Sequence, residues 1–235
     1  MVRFALGTTN FVLNNFQVGV DGTDGVVLLY SEQGTTDQSV SFAPHATMTQ
    51  DTAYTLPADD GAANEFLQTN GSGALDWVQV PFHATFYPYQ AKLPTSNFGV
   101  IDMGNNRPRL LLDDTTDESV QWSTVIRPYN AGTLEAHIYY SMASATTGNV
   151  DFEVSLMCVT SGDAADVDTD SFDTLNAANE TVPGTAGYLS NLSITLTNAD
   201  SCAQEDYLIV QLNRDANDAT NDTATGDAEV REVQV

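Results

Sequence analysis

Apolar residues stand at every second position through much of the C-terminal two thirds of this chain. The runs are Val120, Trp122 and Ile126; Leu134, Ala136, Ile138 and Tyr140; Val150, Phe152, Val154, Leu156 and Cys158; Leu192, Ile194 and Leu196; and Leu208, Val210 and Leu212. A period of two lays such residues on one face of an extended strand, and no stretch shows a sustained helical period with caps. Clusters of Gly, Pro, Asp and Asn separate the runs and supply the turns. With residues 82–89, 98–103, 109–112 and 230–235 the count reaches eight or nine candidate strands. Residues 81–235 are therefore expected to form one two-sheet β-sandwich of jelly-roll type. Residues 163–179, small and acidic, are the exception and predict a helical turn or a long surface loop.

The N-terminal part reads differently. Residues 1–55 contain only short apolar runs, Phe11-Val12-Leu13, Val18-Gly19-Val20, Val26 to Tyr30 and Val40-Ser41-Phe42, joined by tight Asn, Asp and Gly turns. Strands this short bury too little to offset their own ordering entropy. This predicts a β-hairpin arm for docking or oligomerisation, with Phe11, Leu13, Val27, Leu29 and Phe42 buried between subunits of a trimer or against a larger particle. Residues 56–80 form a hairpin seam: Pro57, Asp60-Gly61 and Asn70-Gly71 supply turn chemistry around Phe66 to Thr69, and Gly73 precedes Leu75 and Trp77. Trp77 is expected to be largely buried, against the sandwich or a neighbouring chain, and is the sixth assembly residue.

Composition limits the partners. The 235 residues carry 32 acidic against 7 basic side chains, a formal net charge of -25, and a single lysine, Lys92. Such a surface repels nucleic acid phosphates and anionic lipid, so neither is an expected partner. A hydrophobic content of 42% argues against disorder. The apolar start, Met1 to Leu6, stops at Gly7, too short for a secretory signal, and no run reaches membrane-spanning length. The expectation is a chain made in a cytoplasm and released only by lysis.

The seam, LPADDGAANEFLQTNGSGALDW from Leu56 to Trp77, resembles a segment recurring in bacteriophage tail fibres and other virion appendage proteins. A second resemblance covers most of residues 118–235. Trp122 to Arg127, Gly132 to Ser141, Thr147 to Phe152 and Tyr207 to Ala216, followed by Asp222-Thr223 and Gly226-Asp227-Ala228, are similar to a β domain of phage structural proteins, the tail of the chain matching its final hairpin. These resemblances imply a virion component and no catalytic residue.

Chemistry-bearing residues are sparse. His45, His83 and His137 are far apart in sequence and from the cysteines, with no zinc spacing. A Gly-x-Ser-x-Gly elbow is absent. Asp113-Asp114, Asp163 to Asp173 and Asp215 to Asp227 offer oxygen ligands for Ca²⁺ without the spacing of a known loop, so solvated acidic loops and no cofactor are expected. Two cysteines make no disulfide scaffold, and Cys158 reads as a small buried hydrophobe. Arg127 and Arg214, scarce cations at strand ends, are expected to pair with local carboxylates, Arg214 partly buried in a structural role. Phe86-Tyr87-Pro88-Tyr89 and Tyr139-Tyr140 offer rings to a sugar, but adjacent strand residues face opposite ways, so one of each pair belongs to the core.

The expected function is that of a non-enzymatic phage virion structural protein, a capsid-decorating or small appendage protein with an outward-facing sandwich, its partners being itself as a homotrimer and other capsid or tail proteins. The alternatives are a tail-fibre or receptor-binding tip that recognises host surface glycans, and a carbohydrate-binding module from a halophile.

Overall fold

The computed structural model describes residues 18, 24–31, 38–63, 65–129 and 132–235. They divide into two compact units, residues 1–57 with 69–75 and residues 58–68 with 76–235. Among the described residues the helical pieces are two three-residue 3-10 turns, Pro88–Gln90 and Gly104–Asn106.

In the smaller unit β1 (Val27–Ser31) pairs antiparallel with β2 (Gln38–Phe42). The register sets Val27 opposite Phe42 and Leu29 opposite Val40. Because side chains alternate across a strand, these four share one face of the ribbon. That face is open, with Leu29 56% and Phe42 62% exposed. Phe11 and Leu13 lie outside the described residues.

The seam forms the expected hairpin of β3 (Glu65–Thr69) and β4 (Leu75–Gln79). Within this one chain Trp77 is half-buried; the sequence expectation was burial against the sandwich or a neighbouring chain. Its ring is seated by its own segment, with Nε1 donating to the Asp59 carbonyl at 3.0 Å. Gly61 closes the other side at φ +73°, where a Cβ would stand 2.7 Å from the indole, so this position accepts only glycine without movement.

The larger unit is a sandwich of antiparallel sheets, as the alternation predicts. Its strands are β5 (Thr85–Phe86), β6 (Val100–Asp102), β7 (Arg109–Leu112), β8 (Glu118–Val125), β9 (Leu134–Met142), β10 (Asn149–Val159), β11 (Asn176–Thr181), β12 (Ser190–Leu196), β13 (Tyr207–Arg214) and β14 (Ala228–Gln234). One sheet has the order β11-β10-β13-β8; the other runs β12-β9-β14-β7-β6, with β5 also paired to β14. Their inner faces carry the alternating residues of the sequence, Val120, Trp122, Phe152, Val154, Leu156, Val210 and Leu212 from one and Ala136, Ile138, Tyr140, Leu192 and Ile194 from the other, all buried. Across the interface the Tyr140 ring meets Phe152 edge-on at 5.2 Å. The Tyr140 hydroxyl donates to Glu180 Oε1 at 2.8 Å, satisfying the polar end of a buried ring. Burial, and the Glu180 carboxylate beside it, hold that hydroxyl well above the usual tyrosine range. A register shift between Val230 and Glu232 turns both Val230 and Val233 inward, which strict alternation alone does not allow.

Three expectations are corrected. Residues 163–179 are not wholly loop: Asn176–Thr181 is β11, the edge strand beside β10, whose small polar sequence hid it. The last two strands are not a hairpin: β13 pairs with β10 and β8, whereas β14 pairs with β9, β7 and β5, so residues 215–227 carry the chain from one sheet to the other. Cys158 is not a free hydrophobe but is disulfide-bonded to Cys202, with Cα atoms 5.3 Å apart.

Candidate functional site

Two places concentrate chemistry, and the first is an aromatic surface. After the buried Phe86, Pro88 presets the backbone for a 3-10 turn, in which Gln90 Oε1 accepts the Tyr87 amide at 3.2 Å and the Gln90 amide donates to the Tyr87 carbonyl at 3.0 Å. The buried Trp122 pins this turn to the core through Nε1, which donates to the same Tyr87 carbonyl at 2.9 Å. Phe86 lies 6.0 Å from the Trp122 ring. The turn is thus rigid while its two tyrosines face outward, Tyr89 57% exposed. Their rings are parallel within 4° with centroids 5.6 Å apart. The neighbouring depression is lined by Gln90, Lys92, Ser123, Thr124 and Arg127 among others. Lys92 Nζ contacts Ser123 Oγ and lies 3.5 Å from the Tyr207 hydroxyl. Bonding to Ser123 first, and the Lys92 charge after it, hold that hydroxyl below the usual tyrosine range. The second sequence candidate resolves as alternation requires: Tyr140 is core and Tyr139 half-buried.

The second place is the crossing segment after β13. Arg214 is 0% exposed and all its donors are used. Nε and Nη2 grip the Asp222 carboxylate, both at 2.8 Å; Nη1 donates to the Leu112 and Gly226 carbonyls at 3.1 and 2.9 Å; Nη2 also donates to the Ala224 carbonyl at 2.8 Å. The expected burial of Arg214 is therefore complete, and its partner is Asp222 instead of the adjacent Asp215. The segment is also tied to the start of β10, since the Thr223 and Ala224 amides both donate to the Asn149 carbonyl at 2.8 Å. Gly148, at φ +90°, permits this approach: a Cβ there would lie 2.8 Å from the Thr223 backbone. Arg127 pairs at the surface with Glu205, a carboxylate distant in sequence, and not with a local one as expected.

This packing gathers carboxylates. One oxygen from each of Asp151, Asp215 and Asp218 lies within 4.8 Å of the others, as do oxygens of Asp113, Asp114 and Asp227. Asp151 is 4% exposed, and its Oδ1 is buried and accepts no hydrogen bond. Burial, then the charges of Glu153, Asp215, Asp218 and Asp222, push its carboxyl up to about 6. In the other cluster Asp113 Oδ1 accepts the Thr115 and Thr116 amides and Asp114 accepts the Gly226 amide. No histidine joins a metal-ligating cluster among the described residues. Nor is any of their helices long and apolar enough to cross a membrane.

No protein-family model and no curated protein matches the chain. Among solved structures it is similar to a family 35 carbohydrate-binding module from Paenibacillus barcinonensis, with 9% identity over 64% of this chain and 95% of that one and a TM-score of 0.38. It is also similar to a family 11 carbohydrate-binding module from Clostridium thermocellum, solved with a mixed-linked tetrasaccharide, with 9% identity over 74% and 95% and a TM-score of 0.34. An exo-β-1,3-galactanase from Phanerochaete chrysosporium matches at 11% identity over 71% of this chain and 31% of the enzyme, with a TM-score of 0.38. Likeness at this level assigns no ligand and no residue role here.

Proposed function

We propose that this protein is a non-catalytic, carbohydrate-recognising β-sandwich protein of a virion appendage, a receptor-binding tip. The observation that carries the recognition reading is the exposed, parallel Tyr87–Tyr89 pair on a turn anchored by Trp122. Stacked on its neighbour and so held in place, an outer tyrosine ring face suits the C–H face of a sugar ring, and the adjoining Gln90, Lys92 and Ser123 supply polar groups for its hydroxyls. The virion setting rests on the resemblance of residues 56–77 and 118–235 to phage structural proteins. In affinity electrophoresis of the full chain through gels containing xylan, mixed-linkage β-glucan or bacterial O-chain polysaccharide, retardation in at least one is expected. Tyr89→Ala should weaken it about tenfold or more, roughly 1.4 kcal/mol or greater. Free migration in every gel, or retardation indifferent to Tyr87→Ala and Tyr89→Ala, would refute the reading.

A separate observation favours self-assembly or docking through the smaller unit. Val27, Leu29, Val40 and Phe42 form one open apolar face, and such patches mark interfaces. With this face as the contact of a homotrimer, Leu29→Glu with Phe42→Glu converts trimer to monomer in sedimentation, through charge on an apolar contact, while the sandwich melts as before. An unchanged sedimentation coefficient would remove these residues from the interface.

A further inference from the structure

We propose that Asp151, Asp215 and Asp218 bind one calcium ion. The proposal is independent of the carbohydrate reading. Asp151 sits near the start of β10, and the other two follow β13, its neighbour in the sheet. The Asp215 amide donates to the Asp151 carbonyl at 3.2 Å, so the backbones hold the carboxylates together whether or not their charges repel. Among the described residues the one nearby buried cation is already committed, since Arg214 spends its charge on Asp222. What is left is a buried carboxylate oxygen without any donor, in a group whose oxygens lie within 4.8 Å of two others. A buried, unpaired ionised group is costly unless an ion or a hydrogen bond compensates it.

A hard dication at the centre of such a trio reaches each oxygen at about 2.3–2.6 Å, the calcium distance, and opposite ligands then stand up to about 5 Å apart. Two of the ligands leave the site half-open to water, which completes the six to eight oxygens calcium takes, roughly. Magnesium demands a near-ideal octahedron, which three carboxylates from one strand and the segment after another do not offer. Asp218 is already oriented: its Oδ1 accepts the Thr220 and Asn221 amides at 2.8 and 3.1 Å, and a carboxylate retains lone pairs beyond these. The Asp113, Asp114 and Asp227 group, which contains no fully buried carboxylate oxygen lacking a partner, serves as the internal control.

The test is thermal unfolding of the full chain, with calorimetric titration, in CaCl₂, MgCl₂ and NaCl at matched ionic strength. Calcium should raise the melting temperature by about 5–10 °C at roughly 100 times Kd, reversibly by EDTA, with one ion bound. Asp215→Asn and Asp218→Asn should each abolish that increment, and Asp113→Asn should keep it. Asp151→Asn separates binding from mere packing: it should melt higher than the parent in EDTA, because the orphaned charge is gone, and be blind to calcium. No heat and no calcium-specific shift in the parent, an equal response to magnesium, or a full response in both loop variants would overturn the proposal.

Discussion

Arg214→Ala is expected to remove about 3–5 kcal/mol of stability, the cost of breaking a buried ion pair from one side. Set against the roughly 5–15 kcal/mol that holds a typical domain, this lowers the melting temperature by about 10 °C or more or prevents folding outright. The substitution strands the carboxylate of Asp222, whose side chain is 2% exposed, together with the carbonyls of Leu112, Ala224 and Gly226. Those carbonyls belong to β7 and to the segment crossing between the sheets, so the loss reaches both layers. Lysine should not rescue, because its three donors replace a planar fork of five. Arg214→Met with Asp222→Leu should recover part of the loss, since exchanging both charges for apolar groups is cheaper than orphaning one. Denaturant unfolding measures all three; an Arg214→Ala protein within about 1 kcal/mol of the parent would show that the crossing is held elsewhere.

Opening the Cys158–Cys202 bond should cost about 2–4 kcal/mol, given the 44-residue separation it closes. The bond fastens the β12–β13 connection to the end of β10. It is reinforced by the Cys158 amide, which donates to Asp200 Oδ2 at 2.7 Å, and by Asn176, which accepts the Asn198 amide at 2.9 Å. These hydrogen bonds survive reduction, so the reduced protein should fold with a lower melting temperature and no change in the sandwich. Cys158→Ala with Cys202→Ala should melt where the reduced parent does. If reductant leaves the parent's melting temperature where it was, the bond contributes nothing measurable.

The sequence by itself determined the apolar strands of the sandwich and which of their faces is core. Period-two alternation is a local property, so Trp122, Tyr140, Phe152 and Leu212 declared their burial without reference to any partner, whereas the exposure of Tyr87 and Tyr89 comes from a 3-10 turn that alternation does not describe. The seam's turns were legible for a similar reason: Gly61 and Gly71 take positive φ at the Asp-Gly and Asn-Gly pairs, and Gly73 does so after Ser72. Arg214 stood out because cations are scarce, but its partner did not. Asp215 is adjacent in sequence, yet the side chain turns inward to Asp222, because alternation points Arg214 into the sandwich and the crossing segment folds back over it. Strand β11 was missed because an edge strand of Asn, Ala, Glu and Thr owes its place to pairing with β10 and not to an apolar face. The disulfide and the Asp151, Asp215 and Asp218 cluster were beyond the sequence for one shared reason. Each depends on the sheet order β11-β10-β13-β8, which brings distant segments side by side, and pairing order is decided by how the two sheets pack, not by any local pattern.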